Sequence, residues 1–319
     1  MEVRPSHAPP ALVSALTAAV LMAAAAGCGA EPRTAPRADP SSASPQPQQS
    51  ASASASASAS ASPSGDPAAL DLPDPDEPIP GDAAELAKAL KRTSAALADA
   101  VDAWDGDGEP PRDVELLALH QQRIYRHTAR HPKLAARAFA RLPARLAAEA
   151  RDNTAAIREL LSLAHPVKGT GVIKVRPARP ASELRGYFKK AERRFGVEWE
   201  VLAAVMFAET KFGRVRSASH VGAQGPMQFM PATWKAYGMG GDIQDTRDAV
   251  MAAANYLRAT GAPRDYQRAL HAYNPSQAYV DAILLHAKQI KRDPRNYLVY
   301  YNWQVYVITT KGERRITGP

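Results

Sequence analysis

A long stretch near the N-terminus cannot form a hydrophobic core, and it confines the fold to the rest of the 319-residue chain. Residues 29–80 are mainly Ala, Ser, Pro, Gln and acidic residues, with alternating Ala and Ser from Ser50 to Ser62. Because this composition offers no apolar face to bury, we predict a disordered tether over residues 28–80. Its root-mean-square reach would be on the order of 40 Å. The remainder has room for one domain and a smaller companion.

A mostly apolar run precedes the tether. It extends from Ala11 to Ala26, follows Arg4, and ends at Gly27-Cys28. The run is short for a membrane-spanning helix and is typical of a secretory signal peptide, which we assign to residues 1–27. Cys28 is the only cysteine, so no intramolecular disulfide can form, and its position suits lipid attachment through a thioether. The alternative is an ordinary signal peptide followed by an incidental thiol.

Charge is distributed unevenly along the chain. Residues 167–319 carry 24 Lys and Arg against 12 Asp and Glu, a net charge of +12, whereas residues 28–166 carry 15 against 19, a net charge of −4. In an exported protein a basic half indicates anionic wall polymers or lipid head groups as partners. In an intracellular protein it would suggest nucleic acid, but no nucleic-acid-binding motif is present, so we predict no such partner.

Helical periodicity begins after Gly81, where apolar residues recur at Leu86, Leu90 and Leu97 behind a suitable N-cap, Asp82. We predict a helical companion region over 81–165, a linker rich in Gly and Pro over 166–180, and a compact domain over 181–294. Further helices are expected at 113–130, 133–142, 144–163, 182–195, 198–209, 246–260 and 276–291.

The companion region contains three histidines, His120, His127 and His131, at spacings of seven and four residues. This spacing could place them on one helix face and suggest a metal site, but no carboxylate completes a ligand set. Solvated or core histidines are a simpler explanation of this spacing than a metal site. We therefore predict no metal site, no cofactor and no chemistry for residues 81–165.

The composition changes again after Pro294, where β-branched and aromatic residues dominate. Leu298–Tyr301 and Gln304–Thr310 read as strands, and Lys311-Gly312 reads as a turn, so we predict a β-hairpin over residues 295–319. The aromatic side chains could form a sugar-stacking platform. Packing of a small sheet against helices is the simpler explanation, because strands are rich in aromatic residues in any case.

Three short blocks stand in order in the basic half. They are Glu209-Thr210-Lys211-Phe212-Gly213, the ten residues from Gly222 to Pro231 (GAQGPMQFMP), and Ala272-Tyr273-Asn274. Each block alone is weak evidence, since a glutamate in a helix is usually a solvated side chain and Tyr-Asn-Pro is often just a turn. Their order and spacing together make a specific pattern.

The blocks resemble the signature of the lytic transglycosylases, lysozyme-like enzymes that cut the glycan strands of bacterial peptidoglycan. The resemblance covers about residues 181–292 and is closest to exported actinobacterial-type members. It implies a mainly α fold with a lysozyme-like (goose-type, SLT) helical catalytic domain at 181–294. It also implies that Glu209 is the catalytic acid. The residues that it assigns to substrate binding are Thr210, Met227, Gln228, Tyr273 and Asn274.

The residues around Glu209 support the role of an acid. A general acid must keep its proton near neutral pH. Glu209 is predicted near the C-terminal end of its helix, where the macrodipole disfavours negative charge, and Val205 and Met206 precede it on the same face. Dipole and desolvation are both expected to raise its pKa.

The resemblance implies cleavage of the MurNAc-GlcNAc β-1,4 bond to a 1,6-anhydro product, with one carboxylate acting as acid and then as base. No second carboxylate stands at a comparably marked position: Asp242, Asp245, Asp248 and Asp281 read as caps or surface charges. Two alternatives stay open: a hydrolase of the same fold, and a non-catalytic wall-binding lipoprotein. We expect a monomer that is lipid-anchored to the outer face of the cytoplasmic membrane and faces the cell wall.

Overall fold

The computed structural model describes residues 72–171 and 173–319. The predicted signal peptide, the lipid-attachment residue Cys28 and most of the predicted tether lie outside the described residues. The described part contains eleven helices and two strands. In chain order they are α1 (Ala83–Ala103), α2 (Arg112–Arg130), α3 (Pro132–Phe139), α4 (Ala144–Ser162), α5 (Ala181–Phe195), α6 (Trp199–Thr210), α7 (Pro231–Tyr237), α8 (Thr246–Thr260), α9 (Tyr266–Tyr273), α10 (Gln277–Arg292), α11 (Arg295–Asn302), β1 (Tyr306–Thr309) and β2 (Gly312–Arg315).

The predicted tether is too long at its C-terminal end. Residues 72–80 follow a defined path, in which Leu72 and Ile79 pack against the hydrophobic core. The Arg315 guanidinium donates a hydrogen bond of 3.0 Å to the carbonyl of Pro75 and pairs with Asp76. Two apolar side chains in a Pro-rich stretch are enough to fix it here, because the surface on which they pack is formed by residues far along the chain.

The N-terminal helices begin where local signals place them. The Asp82 carboxylate accepts hydrogen bonds from the backbone N–H groups of Ala84 and Glu85, and α1 starts directly after it. Pro132 occupies the first turn of α3, and Pro143 precedes α4, positions at which the missing N–H costs nothing. Helix α2 packs against both α1 and α4. The three helices form a layer whose apolar stripes face inward.

One hydrophobic core extends through both the N-terminal helices and the later ones. Helix α4 packs along α10, and α11 packs against α1, α2 and α6. Buried hydrogen bonds reinforce these contacts: the Tyr300 hydroxyl donates to Asn153 Oδ1 at 2.6 Å, and the Tyr297 hydroxyl donates to the Ala181 carbonyl at 2.7 Å. The N-terminal helices are therefore part of the framework that supports the later ones.

The prediction of strand structure from residue 295 onward is wrong for its first half. Residues 295–302 form α11, in which every residue from Asn296 to Asn302 is buried. Their strand propensity is overridden because α1, α2, α6 and α10 all pack against this segment, and burial on all sides favours a short helix as readily as a strand. The hairpin itself is restricted to β1 and β2, which pair antiparallel from Tyr306↔Arg315 to Thr309↔Gly312.

The aromatic residues of this segment pack in the interior. Tyr297, Tyr300, Tyr301 and Trp303 are all buried, so they form no open sugar-stacking platform. Tyr306 is partly exposed, and the guanidinium of Arg126 lies 4.4 Å from its ring centroid. Packing is the correct explanation, although helix α11 and its C-cap supply most of the rings.

Helix α6 runs through the centre of the later helices and carries the first block. Every residue from Val201 to Thr210 is buried, so the helix is surrounded by protein on all sides. Helix α5 packs on it and ends at Phe195, and the C-cap Gly196 has the left-handed conformation that is common at helix ends. The helix starts at Ala181 after Pro180, one residue before the predicted start.

Candidate active site

Glu209 lies in the last turn of α6 with only 3% of its surface exposed. Its Oε1 accepts a hydrogen bond of 2.7 Å from the Tyr279 hydroxyl. Its Oε2 is buried and has no hydrogen-bond partner among the residues that the structure describes. A buried carboxyl with one oxygen held and the other unoccupied has the arrangement of a proton donor, because an ionised carboxylate would need partners on both oxygens.

Burial raises the pKa of Glu209 to about 8. The Tyr279 hydrogen bond and the positive charge of Lys211 act in the opposite direction, because both favour the ionised form, but they are the smaller causes. No carboxylate of the described residues is among the charges that shift this pKa. Glu209 therefore carries its proton at neutral pH, as predicted from the apolar residues before it in α6.

The backbone turns sharply directly after Glu209. Lys211, Phe212 and Gly213 have φ angles of 50°, 60° and 78°, so three consecutive residues are left-handed. For Lys211 and Phe212 this conformation is unfavourable, and such strain persists only where the surroundings impose it. The Phe212 side chain is buried against Tyr297 and Tyr301, which holds the turn in place.

Thr210, predicted as a substrate contact, is fully buried. Its hydroxyl donates to the Pro226 carbonyl at 2.6 Å and accepts from the Gly213 N–H at 2.9 Å. These bonds tie the end of α6 to the Gly-rich block, and they leave the hydroxyl no access to a sugar. Thr210 positions two parts of the site relative to each other.

The second block folds into a tight loop. Gln224 and Phe229 exchange backbone hydrogen bonds of 2.9 and 2.8 Å across it. Gly225, with φ of 75°, lies so close to the Ile243 carbonyl that a Cβ would stand 1.9 Å from that oxygen. Gln228 is left-handed with φ of 49°, partly exposed, and donates from its side-chain amide to the Gly225 carbonyl at 2.9 Å. Its remaining hydrogen-bonding capacity is available to a ligand.

The third block supports the second. The Tyr273 hydroxyl donates to the Met227 carbonyl at 2.6 Å, and the rings of Tyr273 and Phe229 lie 5.8 Å apart. Met227 and Asn274 are fully buried, and Asn274 caps α9. The resemblance assigns Tyr273 to the Glu209 carboxyl or to the sugar near it. Burial and the charge of Glu209 both raise the pKa of Tyr273, but the Tyr273 hydroxyl itself donates to the loop. Its contribution is to hold the loop that flanks Glu209.

Tyr279, which binds Glu209, was not predicted. It begins a stripe on α10 at Tyr279, Ile283, His286 and Ile290, all of them fully buried. A hydroxyl on an otherwise apolar helix stripe needs a hydrogen-bond partner, and this is the signal in the sequence that could have nominated it. The partner itself is seventy residues away in the chain and becomes visible only in the fold.

The carboxylates after the second block form local hydrogen bonds, and one of them is a helix cap. Asp245 caps α8 through the Asp248 N–H, the Asp248 carboxylate accepts from the Asp242 N–H, and Asp281 accepts from Gln277. In residues 72–171 and 173–319 no group of three or more His, Cys, Asp and Glu side chains is arranged to hold a metal ion.

Residues 186–293 match the family described as the transglycosylase SLT domain. The matched segment contains α6 with Glu209, the Gly-rich loop, and α10 with Tyr279. This part of the chain is an SLT domain. Its helices, with the small antiparallel pair that follows them, confirm the mainly α, lysozyme-like fold class expected from the three blocks.

One curated relative of the chain is the membrane-bound lytic murein transglycosylase F of Thiobacillus denitrificans (strain ATCC 25259 / T1). It is 27% identical over 135 residues, which cover 40% of this chain and 28% of the relative. The chain thus spans well under half the length of that protein. No solved structure matches the chain significantly.

Proposed function

We propose that this protein is a peptidoglycan lytic transglycosylase that cleaves the MurNAc-GlcNAc β-1,4 bond and forms 1,6-anhydro-MurNAc. The observation that carries the proposal is the buried, protonated Glu209, held by Tyr279 inside an SLT domain and without a partner carboxylate. A retaining hydrolase with a protein nucleophile would need a second carboxylate about 5 Å away.

The first step needs a proton on the glycosidic oxygen as the bond breaks. Glu209 donates it from the buried carboxyl, whose Oε2 has no other partner. The Tyr279 hydroxyl, bound to Oε1, fixes the orientation of the carboxyl and stabilises the carboxylate that forms. The N-acetyl group of the substrate assists at C1, so that no side chain of this protein has to form a covalent bond.

The second step needs a base. Once ionised, Glu209 accepts the proton of the muramoyl C6 hydroxyl, whose oxygen attacks C1 and closes the 1,6-anhydro ring. The carboxyl is thereby reprotonated and the proton balance closes without water, which makes the reaction a lyase reaction. The Gly-rich loop flanks the carboxyl, and the partly exposed Gln228 amide is the group that we assign to the sugar.

The alternative candidate is a muramidase of the same fold, in which water replaces the C6 hydroxyl. Purified sacculi digested with the full chain and analysed by mass spectrometry separate the two reactions, because anhydro products are lighter by one water. We expect anhydromuropeptides. Products with only reducing MurNAc ends would overturn the lyase assignment and favour the hydrolase.

Substitution of the acid tests the role of Glu209. Glu209→Gln keeps the shape of the side chain but cannot donate a proton, so glycan release should fall about 100- to 10,000-fold. Glu200→Gln is the matched control, because Glu200 lies on the same helix but is partly exposed and belongs to none of the three blocks. Unchanged release by Glu209→Gln would remove Glu209 as the acid. Absence of release by the parent chain and both variants would favour a wall-binding module.

We further propose that the protein is exported, acts as a monomer, and is held at the outer face of the cytoplasmic membrane by a lipid on Cys28. The named relative is described as membrane-bound. In the described part of the chain no helix is both long and apolar enough to cross a membrane. The Cys28→Ala variant should leave the membrane fraction and lose incorporation of labelled fatty acid. If it still sediments with membranes and carries the label, the lipid is attached elsewhere.

A further inference from the structure

A second cavity lies beside α6. It has a volume of about 60 Å³ and is bounded by α2, α4, α6, α10 and the segment from Trp303 to Ile308. Phe207, Ala208 and Lys211 are its lining residues from α6, whereas Glu209 does not line it. Since a water molecule takes about 30 Å³ of liquid volume, the cavity has room for a molecule of only a few heavy atoms.

The polar groups around this cavity are donors with few acceptors. Lys211 Nζ donates to the Phe207 carbonyl at 3.0 Å and lies 3.9 Å from the centroid of the Phe207 ring. Among the described residues no carboxylate lies within salt-bridge distance of Lys211. Arg126 pairs with Glu313, which also pairs with Arg130, so two guanidinium groups share one carboxylate there. The cavity therefore has an excess of positive charge.

Several buried polar atoms on the cavity wall have no hydrogen-bond partner among the described residues. They are Nε of Arg126, Nε1 of Trp303 and both ring nitrogens of His286. His286 and Trp303 are almost fully buried, and burial lowers the pKa of His286 to about 3, so its neutral ring offers one donor and one acceptor. Unpartnered buried polar groups are rare and cost about 1–3 kcal/mol each, so their concentration around one cavity favours its occupation by a molecule with hydrogen-bonding groups.

The rest of the wall is apolar. Ile157, Leu160 and Leu161 of α4 and Ala164 after it face the cavity across from the donors. A ligand that suits both sides has an acidic head for the donors and a short alkyl chain for α4. A carboxylate of two or three carbons has this form and fits the volume, and the carboxylate geometry suits the guanidinium of Arg126.

We propose that this cavity is a binding site for a short-chain carboxylate, with its oxygens held by Lys211, Arg126 and Trp303 and its alkyl carbons against Leu160 and Leu161. The site is separate from the cleft that contains Glu209, and the proposal does not depend on the proposed lyase activity. Burial lowers the pKa of Lys211 to about 7, and a bound carboxylate would keep this ammonium group charged.

Titration of the ¹⁵N-labelled full chain with propionate tests the proposal directly. The indole N–H signal of Trp303, assigned with Trp303→Phe, should shift and saturate, whereas the indole signals of Trp104, Trp199 and Trp234 should stay in place. Propionamide has the same shape but no charge, and it should bind at least about tenfold more weakly. An unmoved Trp303 signal would mean that the cavity holds water only. Equal affinity for propionamide would mean that the cavity does not select a carboxylate, and either result would overturn the proposal.

Variants at Lys211 add a second readout. Lys211→Met should weaken propionate binding by about tenfold or more, and Lys211→Arg, which retains a cation, should keep most of it. Lys235→Met, a change at an exposed lysine, is the matched control and should bind like the parent chain. The circular dichroism spectrum of each variant establishes that it is folded. If Lys211→Met, Lys211→Arg and Lys211→Gln all bind propionate equally strongly, the proposed site is wrong.

Discussion

At the scale of single residues, the site depends on one carboxyl whose environment is built to keep it neutral. Burial raises the pKa of Glu209, and the Tyr279 hydrogen bond opposes part of that increase. This balance suits a group that must donate a proton and then take one back, because a pKa far from the working pH would slow one of the two steps. Two predictions follow from the identities of these groups.

Tyr279→Phe should move the alkaline limb of the pH–rate profile to higher pH. The variant removes the hydrogen bond that stabilises the Glu209 carboxylate, so the pKa of Glu209 rises and the acid stays protonated further into the alkaline range. The loss of orientation should also lower the maximal rate by about tenfold or more. The measurement is initial rate of glycan release against pH.

Tyr256→Phe is the control for that profile. The Tyr256 hydroxyl donates to the Ala272 carbonyl at 2.8 Å, so the variant loses a comparable hydrogen bond that does not involve Glu209. Its alkaline limb should coincide with that of the parent chain. An alkaline limb that stays in place for Tyr279→Phe would show that Glu209 is not the group titrating there.

The stability of the chain should fall as the pH rises from 5 to 8, because of Glu209. In this range the folded state binds a proton on Glu209 that the unfolded state, with the ordinary pKa of 4.5, has released. The stabilisation is complete below pH 4.5 and is lost as the pH rises through about 8. Glu209→Gln lacks this linkage. Its free energy of unfolding, relative to that of the parent chain, should therefore increase with pH, by up to a few kcal/mol at about 1.4 kcal/mol per pKa unit.

Urea denaturation of both proteins at several pH values measures that difference. Burial also lowers the pKa of His286, but His286 is present in both proteins and cancels in the comparison. The charge of Lys211 interacts with Glu209, so the measured difference includes the change in this interaction. Glu85→Gln, at an exposed position of α1, should run parallel to the parent chain. A constant difference between Glu209→Gln and the parent would mean that the carboxyl is ionised in the fold at neutral pH.

At the scale of elements, the three blocks act as mutual supports around α6. The first block ends the helix in a strained turn, the second forms a loop that Thr210 ties to that turn, and the third holds the loop through Tyr273. Of the six predicted active-site residues, Glu209 has the expected position and Gln228 is accessible, whereas Thr210 and Met227 are buried. A motif pattern indicates which residues belong together, but it does not distinguish a ligand contact from a support.

Gly225→Ala should disrupt the loop. A Cβ at this position would stand 1.9 Å from the Ile243 carbonyl oxygen, so backbone has to move, and the left-handed φ adds about 1–2 kcal/mol. Gly222→Ala is the matched control, because Gly222 is also left-handed but a Cβ there meets nothing within 4 Å. Chemical denaturation should show a larger loss of stability for Gly225→Ala, and glycan release should fall with it. Equal losses would mean that the loop is free to shift away from Ile243.

At the scale of the whole molecule, the N-terminal helices and the SLT domain share one core. Helix α4 packs along α10. The linker of residues 166–180 is held by backbone hydrogen bonds, among them those of Val167 with Ile308 and Thr310 and of Arg176 with Arg214. Helix α10 carries Tyr279. The companion region, to which the sequence assigned no chemistry, therefore supports the element that orients the acid.

Asn153→Ala should weaken the SLT domain even though it lies in α4. It leaves the buried Tyr300 hydroxyl without its partner, at a cost of about 1–3 kcal/mol. Because the core is continuous, hydrogen exchange at the amides of α6 should accelerate by the same free energy as the global unfolding measured by circular dichroism. Ser162→Ala, at an exposed position of the same helix, is the control. If hydrogen-exchange protection falls only in α4 and stays unchanged in α6, the N-terminal helices and the SLT domain unfold separately.

The sequence by itself determined the helical fold class and most helix boundaries, and it nominated Glu209 as the acid. These depend on local signals: apolar spacing, caps such as Asp82 and Gly196, and the ordered blocks around Glu209. Only the tertiary structure decided that residues 295–302 are a helix, that Tyr279 rather than Tyr273 binds the carboxyl, and that a donor-lined cavity lies behind α6. Each of these depends on contacts between residues far apart in the chain, whose burial and partners no local pattern specifies.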